Sequence, residues 1–261
     1  LPIRSLLEMV LDKTPGYGEV ELAPSPVISQ GRALRYLQEG EHGFVRVANV
    51  AASPRRNQTL QPIRIPIDQG LLGFRVCLIR DGEQQRFTGI HSASDFREKG
   101  LQIGQGAHWP DTRILRASDF EVVTAPAYEN LLRMLMRKRF DCFLRGVGEV
   151  FVELEQHQPE NLVVEDRLLF TYRMPSYFFV SPGDERLAER IRTGLARAMR
   201  DGDYDRWFKT HFGEPMKRLE LIHRVFIPLP NPFLTDGDVP ARIPMAPRHP
   251  EDFLPIPVRP R

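Results

Sequence analysis

The middle of the chain alternates short apolar runs with one amphipathic helix, a pattern that predicts a parallel βαβ unit. Residues 101–103 form a short apolar run that ends at Gly104 and Gly106. Four residues then recur with the spacing of one helix face: Tyr128, Leu131, Leu132 and Leu135. A second apolar run at 140–144 completes the order strand, helix, strand. The glycine turn after the first strand could present backbone N–H groups to an anion or a polar ligand.

Other segments add helices and strands, and together they predict an α/β fold. Five apolar residues near the start keep to one helix face: Ile3, Leu6, Leu7, Val10 and Leu11. A helix from residue 30, with Leu34 and Leu37 on one face, precedes an apolar run at 44–47 that predicts a strand.

The composition fits a globular protein that is long enough for two cores. The chain has 261 residues, of which 41% are hydrophobic and 27% are charged. No run approaches the roughly 18 apolar residues of a membrane span. The net charge is +2 and the 36 basic residues are spread along the chain, so binding to nucleic acid is not indicated.

The βαβ pattern of 101–144 resembles the family 3 extracellular solute-binding proteins, and four further segments, in order, extend the resemblance. They are a helix and strand over 30–49, the sequence Ser-Pro-Arg-Arg at 53–56, the stretch 62–80, and a C-terminal stretch over 187–213. The 53–56 sequence is similar to the family's t-p-e-R motif, and the last stretch is similar to its L...in.al..l..dGt...i..kwfg pattern. The resemblance lies in pattern and not in identity, and it is closer to a divergent branch of the family.

This resemblance implies a two-lobed, type 2 periplasmic-binding-protein fold, with a ligand cleft and two hinge crossings. Lobe one would comprise residues 1–81 and 175–226, and lobe two residues 82–174. The crossings would lie near Arg80 and Arg173, and the chain would return to lobe one through 177–180. The family begins with a strand for which the chain has no candidate, so that strand is expected upstream of Leu1.

The C-terminal segment, 227–261, is a separate feature because it holds 10 of the 23 prolines. That density excludes a helix or a central strand. The segment would be an extended strap along one lobe or a disordered extension. Five apolar residues favour the strap for its first half: Phe226, Leu229, Phe233, Phe253 and Leu254.

The two cysteines, Cys77 and Cys142, lie in apolar strands that the predicted boundaries assign to different lobes. A disulfide between them is therefore not expected, because bridged Cα atoms lie within about 7 Å of each other. Two buried, unpaired thiols are the interpretation that this division favours.

In lobe one the resemblance implies three ligand-binding residues: Arg56, Ser53 and Gly70. Arg56 matches the family arginine that clasps a ligand carboxylate with its planar fork. Ser53 stands where the motif has threonine, and Arg55 where it has an acid, so an ordinary surface arginine is the alternative for Arg56. Gly70 matches a backbone stretch that lends hydrogen bonds to ligands, or is a plain turn glycine.

In lobe two, Gly106 keeps the glycine of the family's ligand turn, but Ala107 stands where a hydroxyl normally binds the carboxylate. His108 and Trp109 follow, and they could supply a donor and a stacking surface at the mouth of the cleft. Burial in the core is the alternative for Trp109. Asp111 is expected to cap the next helix and not to touch a ligand.

Amino-acid binders of the family carry a carboxylate five residues after the aspartate that matches Asp141, and this chain has Gly146 there. Arg145 and Glu149 could take over with a different polarity, which points to an anionic or mixed polar solute. An ordinary ion pair near the hinge is the alternative. Glu149, Glu153 and His157 could share one helix face. A solvated acidic face is favoured there over a metal site.

The motifs HExxH, GxSxG, Walker A and CxxC are lacking, so enzymatic activity, a cofactor and a metal are not predicted. The resemblance implies a periplasmic protein that captures a small, anionic or polar solute, with an ABC transporter permease as its partner. The alternatives are a ligand-sensing module of the same fold, which would act with a membrane sensor, and an enzyme or the effector domain of a regulator.

Overall fold

The computed structural model describes residues 2–24, 28–40 and 44–234. The helices are α1 Pro2–Asp12, α2 Gln30–Glu39, α3 Pro54–Thr59, α4 Ala93–Glu98, α5 Pro110–Ala117, α6 Tyr128–Met136, α7 Val150–His157, α8 Glu185–Arg200 and α9 Asp203–Arg218. The strands are β1 Val47–Ala51, β2 Gln61–Ile63, β3 Phe74–Arg80, β4 Ile103–Gly106, β5 Val122–Ala125, β6 Cys142–Gly146, β7 Leu162–Val164, β8 Leu168–Thr171, β9 Ser176–Val180 and β10 Val225–Pro228.

These strands form two separate sheets. The smaller has the order β1-β9-β2 and is antiparallel. The larger has the order β10-β8-β3-β6-β4-β5, with β7 also paired to β3. We call the parts of the molecule around the smaller and larger sheets lobe one and lobe two. The mixed α/β architecture that the sequence predicts is confirmed.

The predicted βαβ pattern is present in lobe two. Strand β4 pairs in parallel with both β5 and β6, and α6 connects β5 to β6. The apolar face of α6 is buried through Leu131, Leu132 and Leu135, as the helical spacing predicts. Helix α1 likewise buries Leu6, Val10 and Leu11, and it packs against α8. Both helices could be predicted from local periodicity, because apolar residues at this spacing form one helix face that is stable when it is buried.

Strand pairing changes the predicted assignment of residues 74–80. The sequence places this segment in lobe one, but β3 pairs with β6, β7 and β8 of the larger sheet. The first crossing between the sheets therefore falls at residues 64–73, between β2 and β3. The second falls at 172–175, which includes Arg173 as predicted. The remaining lobe boundaries stay predictions.

The disulfide prediction is wrong for the same reason. Cys77 lies in β3 and Cys142 in β6, and these strands are antiparallel neighbours. The two Cα atoms are 5.0 Å apart and the sulfurs are bonded at 2.06 Å. The bridge joins two central strands of lobe two and both cysteines are fully buried.

The first part of the proline-rich segment is ordered on lobe two. Strand β10 pairs in parallel with β8 at the edge of the larger sheet, where a proline is tolerated. Beyond it, Leu229 is buried, and the Phe233 ring lies 4.2 Å from the Arg113 guanidinium carbon. Residues 225–228 thus form an edge strand and a turn follows at 232–233, and the strap stays a prediction. The expectation for 235–261 lies outside the described residues.

Candidate functional site

A cleft of about 350 Å³ lies between the two sheets, and residues from both lobes line it. Its charged lining residues come from five helices and strands and from the segments before β3 and α7: Arg56, Asp68, Arg75, Asp111, Arg145, Glu149 and Glu153. Asn49, Ser176, Gln30 and Gln156 add neutral polar groups. The cleft is therefore rich in charge of both signs, and its chemistry depends on which charges already have partners.

Arg56 is the basic residue that lobe one contributes. Ser53 caps helix α3 by accepting a hydrogen bond from the Arg56 backbone N–H at 3.3 Å, which fixes where the helix starts. The guanidinium donates to the Ala51 carbonyl at 2.8 Å and to Gln30 Oε1 at 2.7 Å. Burial lowers the pKa of Arg56 to about 10, so it stays charged at neutral pH. Its hydrogen bonds go to neutral groups, which leaves its charge available to a ligand.

Arg75 forms a buried ion pair with Asp111 at the floor of the cleft. Its Nη2 lies 2.9 Å from Asp111 Oδ1, and only 4% of each side chain is exposed. The Tyr172 hydroxyl donates to the same oxygen at 2.5 Å. The prediction that Asp111 caps α5 is wrong, because no side chain caps that helix and Asp111 is committed to Arg75. This pair ties β3 to α5 within lobe two.

Arg145, on β6, is enclosed by acidic and aromatic side chains of lobe two. Its Nε donates to Glu153 Oε2 at 2.7 Å, and its Nη2 bonds to the other oxygen of the same carboxylate. Burial works against its charge, but Glu153 and Glu149 hold the pKa of the guanidinium above its ordinary value. With 6% of its side chain exposed, Arg145 is not free to attract an anion.

Glu149 fills the space left by Gly146. A Cβ atom at Gly146 would lie 2.5 Å from Glu149 Oε2 and 2.9 Å from Arg75 Nη1. The carboxylate missing at position 146 is thus replaced in space by one from the start of α7. Burial opposes its charge, but Arg145 and Arg75 hold the pKa of Glu149 below its ordinary value. Since 43% of its side chain is exposed, it can still meet a ligand.

Asp68 is a further acid of the cleft, in the first crossing segment. It accepts backbone hydrogen bonds from Gly70 at 3.1 Å and from Leu72 at 2.9 Å, and it is 7% exposed. Burial raises its pKa to about 6, against the effect of these bonds. Gly70 itself has φ 83°, a turn conformation suited to glycine, and does not line the cleft.

The glycine turn predicted after the first strand of the βαβ unit has another role. Gly106 is the last residue of β4, and a Cβ there would lie 2.4 Å from the Trp109 ring. Glycine is therefore needed so that Trp109 can lie against the strand end. Trp109 lines the cleft, whereas His108 is exposed and does not. The core interpretation of Trp109 holds in part, because it is half-buried and stacks on Phe143, and its ligand role stays a prediction.

The structure thus brings Arg56, Trp109, Arg145 and Glu149 of the predicted set to one cleft. Ser53, Gly70, Gly106 and His108 lie outside its lining. Sequence reasoning missed Arg75, Asp68 and Glu153, and misread Asp111. The signal for Arg75 was an arginine inside the otherwise apolar strand sequence of β3, since such a charge is buried only when it is paired.

The acidic face predicted for helix α7 is solvated only in part, because His157 and 43% of the Glu149 side chain are exposed but Glu153 is not. Glu153 is bound to Arg145, and the His157 ring lies 4.7 Å from the Tyr128 ring. In the part of the chain that the structure describes, no group of three acidic, histidine or cysteine side chains could hold a metal ion. Over the same residues, no helix has the length and apolar character that crossing a membrane requires.

The fold is similar to that of solved substrate-binding proteins of ABC transporters. An amino acid ABC transporter substrate-binding protein from Streptococcus pneumoniae, bound to L-arginine, matches with a TM-score of 0.60 and 16% identity, over 82% of this chain and 84% of that one. An ancestral arginine-binding protein bound to arginine gives a TM-score of 0.59 and 17% identity, over 80% and 87%. A Salmonella typhimurium periplasmic binding protein with high arginine specificity gives 0.59 and 15%, over 81% and 88%.

At these identities the likeness shows a shared fold and no more. In sequence, no protein-family model matches the chain and no curated protein matches it either.

Proposed function

We propose that this protein is a solute-binding protein that captures a small zwitterion of the α-amino acid class in its interlobe cleft. The observation that carries the proposal is the pairing pattern of the cleft's charges. Arg75 and Arg145 are committed to carboxylates, whereas Arg56 of lobe one bonds only neutral groups. Glu149 of lobe two contacts both Arg75 and Arg145, but 43% of its side chain is exposed. A solute bridging them would present a carboxylate to Arg56 and an ammonium to Glu149.

This proposal replaces the anionic solute expected from sequence. That expectation treated Arg145 as a free cation and Gly146 as a missing carboxylate. Arg145 is instead neutralised by Glu153, and Glu149 stands in the space beside Gly146. A second anionic group would therefore meet Glu149 and Asp68 without a free cation to balance them. Bound arginine in the matched structures supports the amino-acid class without identifying the solute.

Delivery to an ABC transporter outside the cytoplasm is part of the same proposal. The fold supports it, and so does the buried disulfide, because such bridges persist mainly in oxidising compartments. A ligand-sensing module of the same fold would use the same cleft, so the binding test applies to both roles.

The test is isothermal calorimetry with the twenty L-amino acids, small dicarboxylates and diamines, followed by matched variants. For a solute that binds, Glu149→Gln should weaken affinity by about ten- to a hundredfold, as expected for loss of a charge-assisted hydrogen bond. Arg56→Ala should weaken it by at least as much. Glu155→Gln on the exposed side of α7 and Arg55→Ala beside Arg56 are the controls and should change nothing.

Two results would reject the proposal. One is a dicarboxylate that binds with an affinity unaffected by Glu149→Gln, which would restore the anionic solute. The other is that no zwitterion binds at millimolar concentration, since a cleft suited to this class should bind at least one of them.

A further inference from the structure

The guanidinium of Arg145 lies inside a cage of three aromatic rings. Its central carbon is 4.6 Å from the Trp109 ring centre, 5.1 Å from that of Phe143 and 5.4 Å from that of Tyr128. The Trp109 and Phe143 planes are within 11° of parallel, with centroids 6.3 Å apart. A planar cation gains from such ring faces when it is shielded from water, and this one is 5% exposed.

Carboxylates complete the cage. Glu153 accepts two bonds from Arg145, the paired geometry that suits a guanidinium and not an ammonium. The Tyr128 hydroxyl donates to Glu153 at 3.2 Å, so an aromatic wall also holds the carboxylate in place. Glu149 adds a longer contact of 3.4 Å. One planar cation is thus surrounded by aromatic rings and acids. The rings come from α6, β6 and the start of α5, and the acids come from α7 and the residue before it.

The cage opens onto the proposed solute site. Trp109, Arg145, Glu149 and Glu153 all line the cleft. An aromatic and carboxylate pocket at that place would suit the cationic end of a long solute side chain. In this chain the pocket is already occupied by a side chain of the protein itself.

We propose that Arg145 is a specificity-determining residue, whose guanidinium occupies the cation subsite of lobe two and excludes solutes with a long cationic side chain. The effect on solute selectivity rests on the proposed function, whereas the cage around Arg145 does not. It adds that the solute is an amino acid with a short or neutral side chain. Removing the Arg145 side chain should open a site for a free guanidinium ion.

The experiment measures the unfolding temperature of wild type and Arg145→Ala in low millimolar guanidinium chloride, with equal sodium chloride as the reference. If guanidinium reaches about ten times its dissociation constant, the midpoint of Arg145→Ala should rise by about 3 to 5 °C. Wild type should not respond. The double variant Arg145→Ala, Glu153→Gln is the matched control and should lose the response, because the cage then lacks its paired acceptor.

If Arg145→Ala does not fold alone, the measurement is its refolding yield in guanidinium chloride compared with the yield in an equal concentration of sodium chloride. Recovery with guanidinium only supports the cage. The same response in wild type and variant, or no recovery with either salt, overturns it.

Solute selectivity separates this inference from the proposed function. Wild type should bind L-arginine at least tenfold more weakly than the best short-chain amino acid, and Arg145→Ala should reduce that difference. Tight L-arginine binding by wild type would overturn the inference and leave the proposed function standing. A guanidinium response in Arg145→Ala, with no amino acid bound by wild type, would leave the cage standing and reject the function.

Discussion

The disulfide between Cys77 and Cys142 should supply a large share of the stability of this protein. Breaking it releases a loop with a sequence separation of 65 residues. The chain-entropy relation for closing a loop of that length gives about 4 kcal/mol at 25 °C. For a domain of roughly 200 residues, each kcal/mol moves the unfolding temperature by about 2 to 4 °C. The double variant Cys77→Ala, Cys142→Ala should therefore unfold about 8 to 16 °C below wild type.

Two measurements separate the bridge from the packing of its sulfur atoms. Thermal unfolding in a reducing buffer keeps both sulfurs and removes only the bond, so reduced wild type should lose most of the same stability. Alkylation of the denatured, unreduced protein should modify no thiol, since both cysteines are bonded. Two alkylated thiols, or equal midpoints for the reduced and oxidised forms, would refute the reasoning and remove the support that the bridge gives to an oxidising compartment.

Two further predictions concern acids of the cleft. Asp111→Asn should lower the free energy of unfolding by about 3 kcal/mol in urea denaturation, because the buried charge of Arg75 then has only the partly exposed Glu149 as an acidic partner. The control Asp119→Asn, on the surface after the same helix, should change this free energy little. Asp68 has a pKa raised to about 6, so folding favours its protonated form and wild type should gain stability from this group as pH falls from about 6 to 4. The gain, on the order of 3 kcal/mol, should be absent from the pH profile of Asp68→Asn, and parallel profiles would contradict the assignment.

Features of the fold that depend on local periodicity could be predicted from sequence. The face of α6 and the stripe of α1 are set by residues three and four apart, and both are buried as expected. The pairing of β3 with β6 depends on segments more than sixty residues apart in the chain, and apolar runs do not specify their neighbours. That one unspecified pairing accounts for both the misplaced lobe boundary and the missed disulfide.

The candidate site divides in the same way. Arg56, Arg145 and Glu149 were found because they sit at or beside motif positions that a single sequence shows. Their roles were not found, because a role depends on partners. Whether Arg145 attracts a solute or is itself enclosed depends on Glu153, on Phe143 of its own strand and on rings from α6 and the start of α5. No spacing in the sequence predicts that these side chains meet.

The two most buried ion pairs of the cleft are better explained by the shape of the site than by stability. Removing two charges from water costs several kcal/mol per ion, and their attraction in the interior roughly repays this only with good geometry. Arg75 with Asp111 and Arg145 with Glu153 both line the cleft, beside Arg56, Asp68 and Glu149. Each pair ties together separate elements: β3 to α5 in the first, and β6 to α7 in the second. Under the proposed function, a solute would meet walls whose charges are largely paired and fixed. Arg56 and the exposed part of Glu149, which also contacts Arg75 and Arg145, would recognise it with little reorganisation on binding.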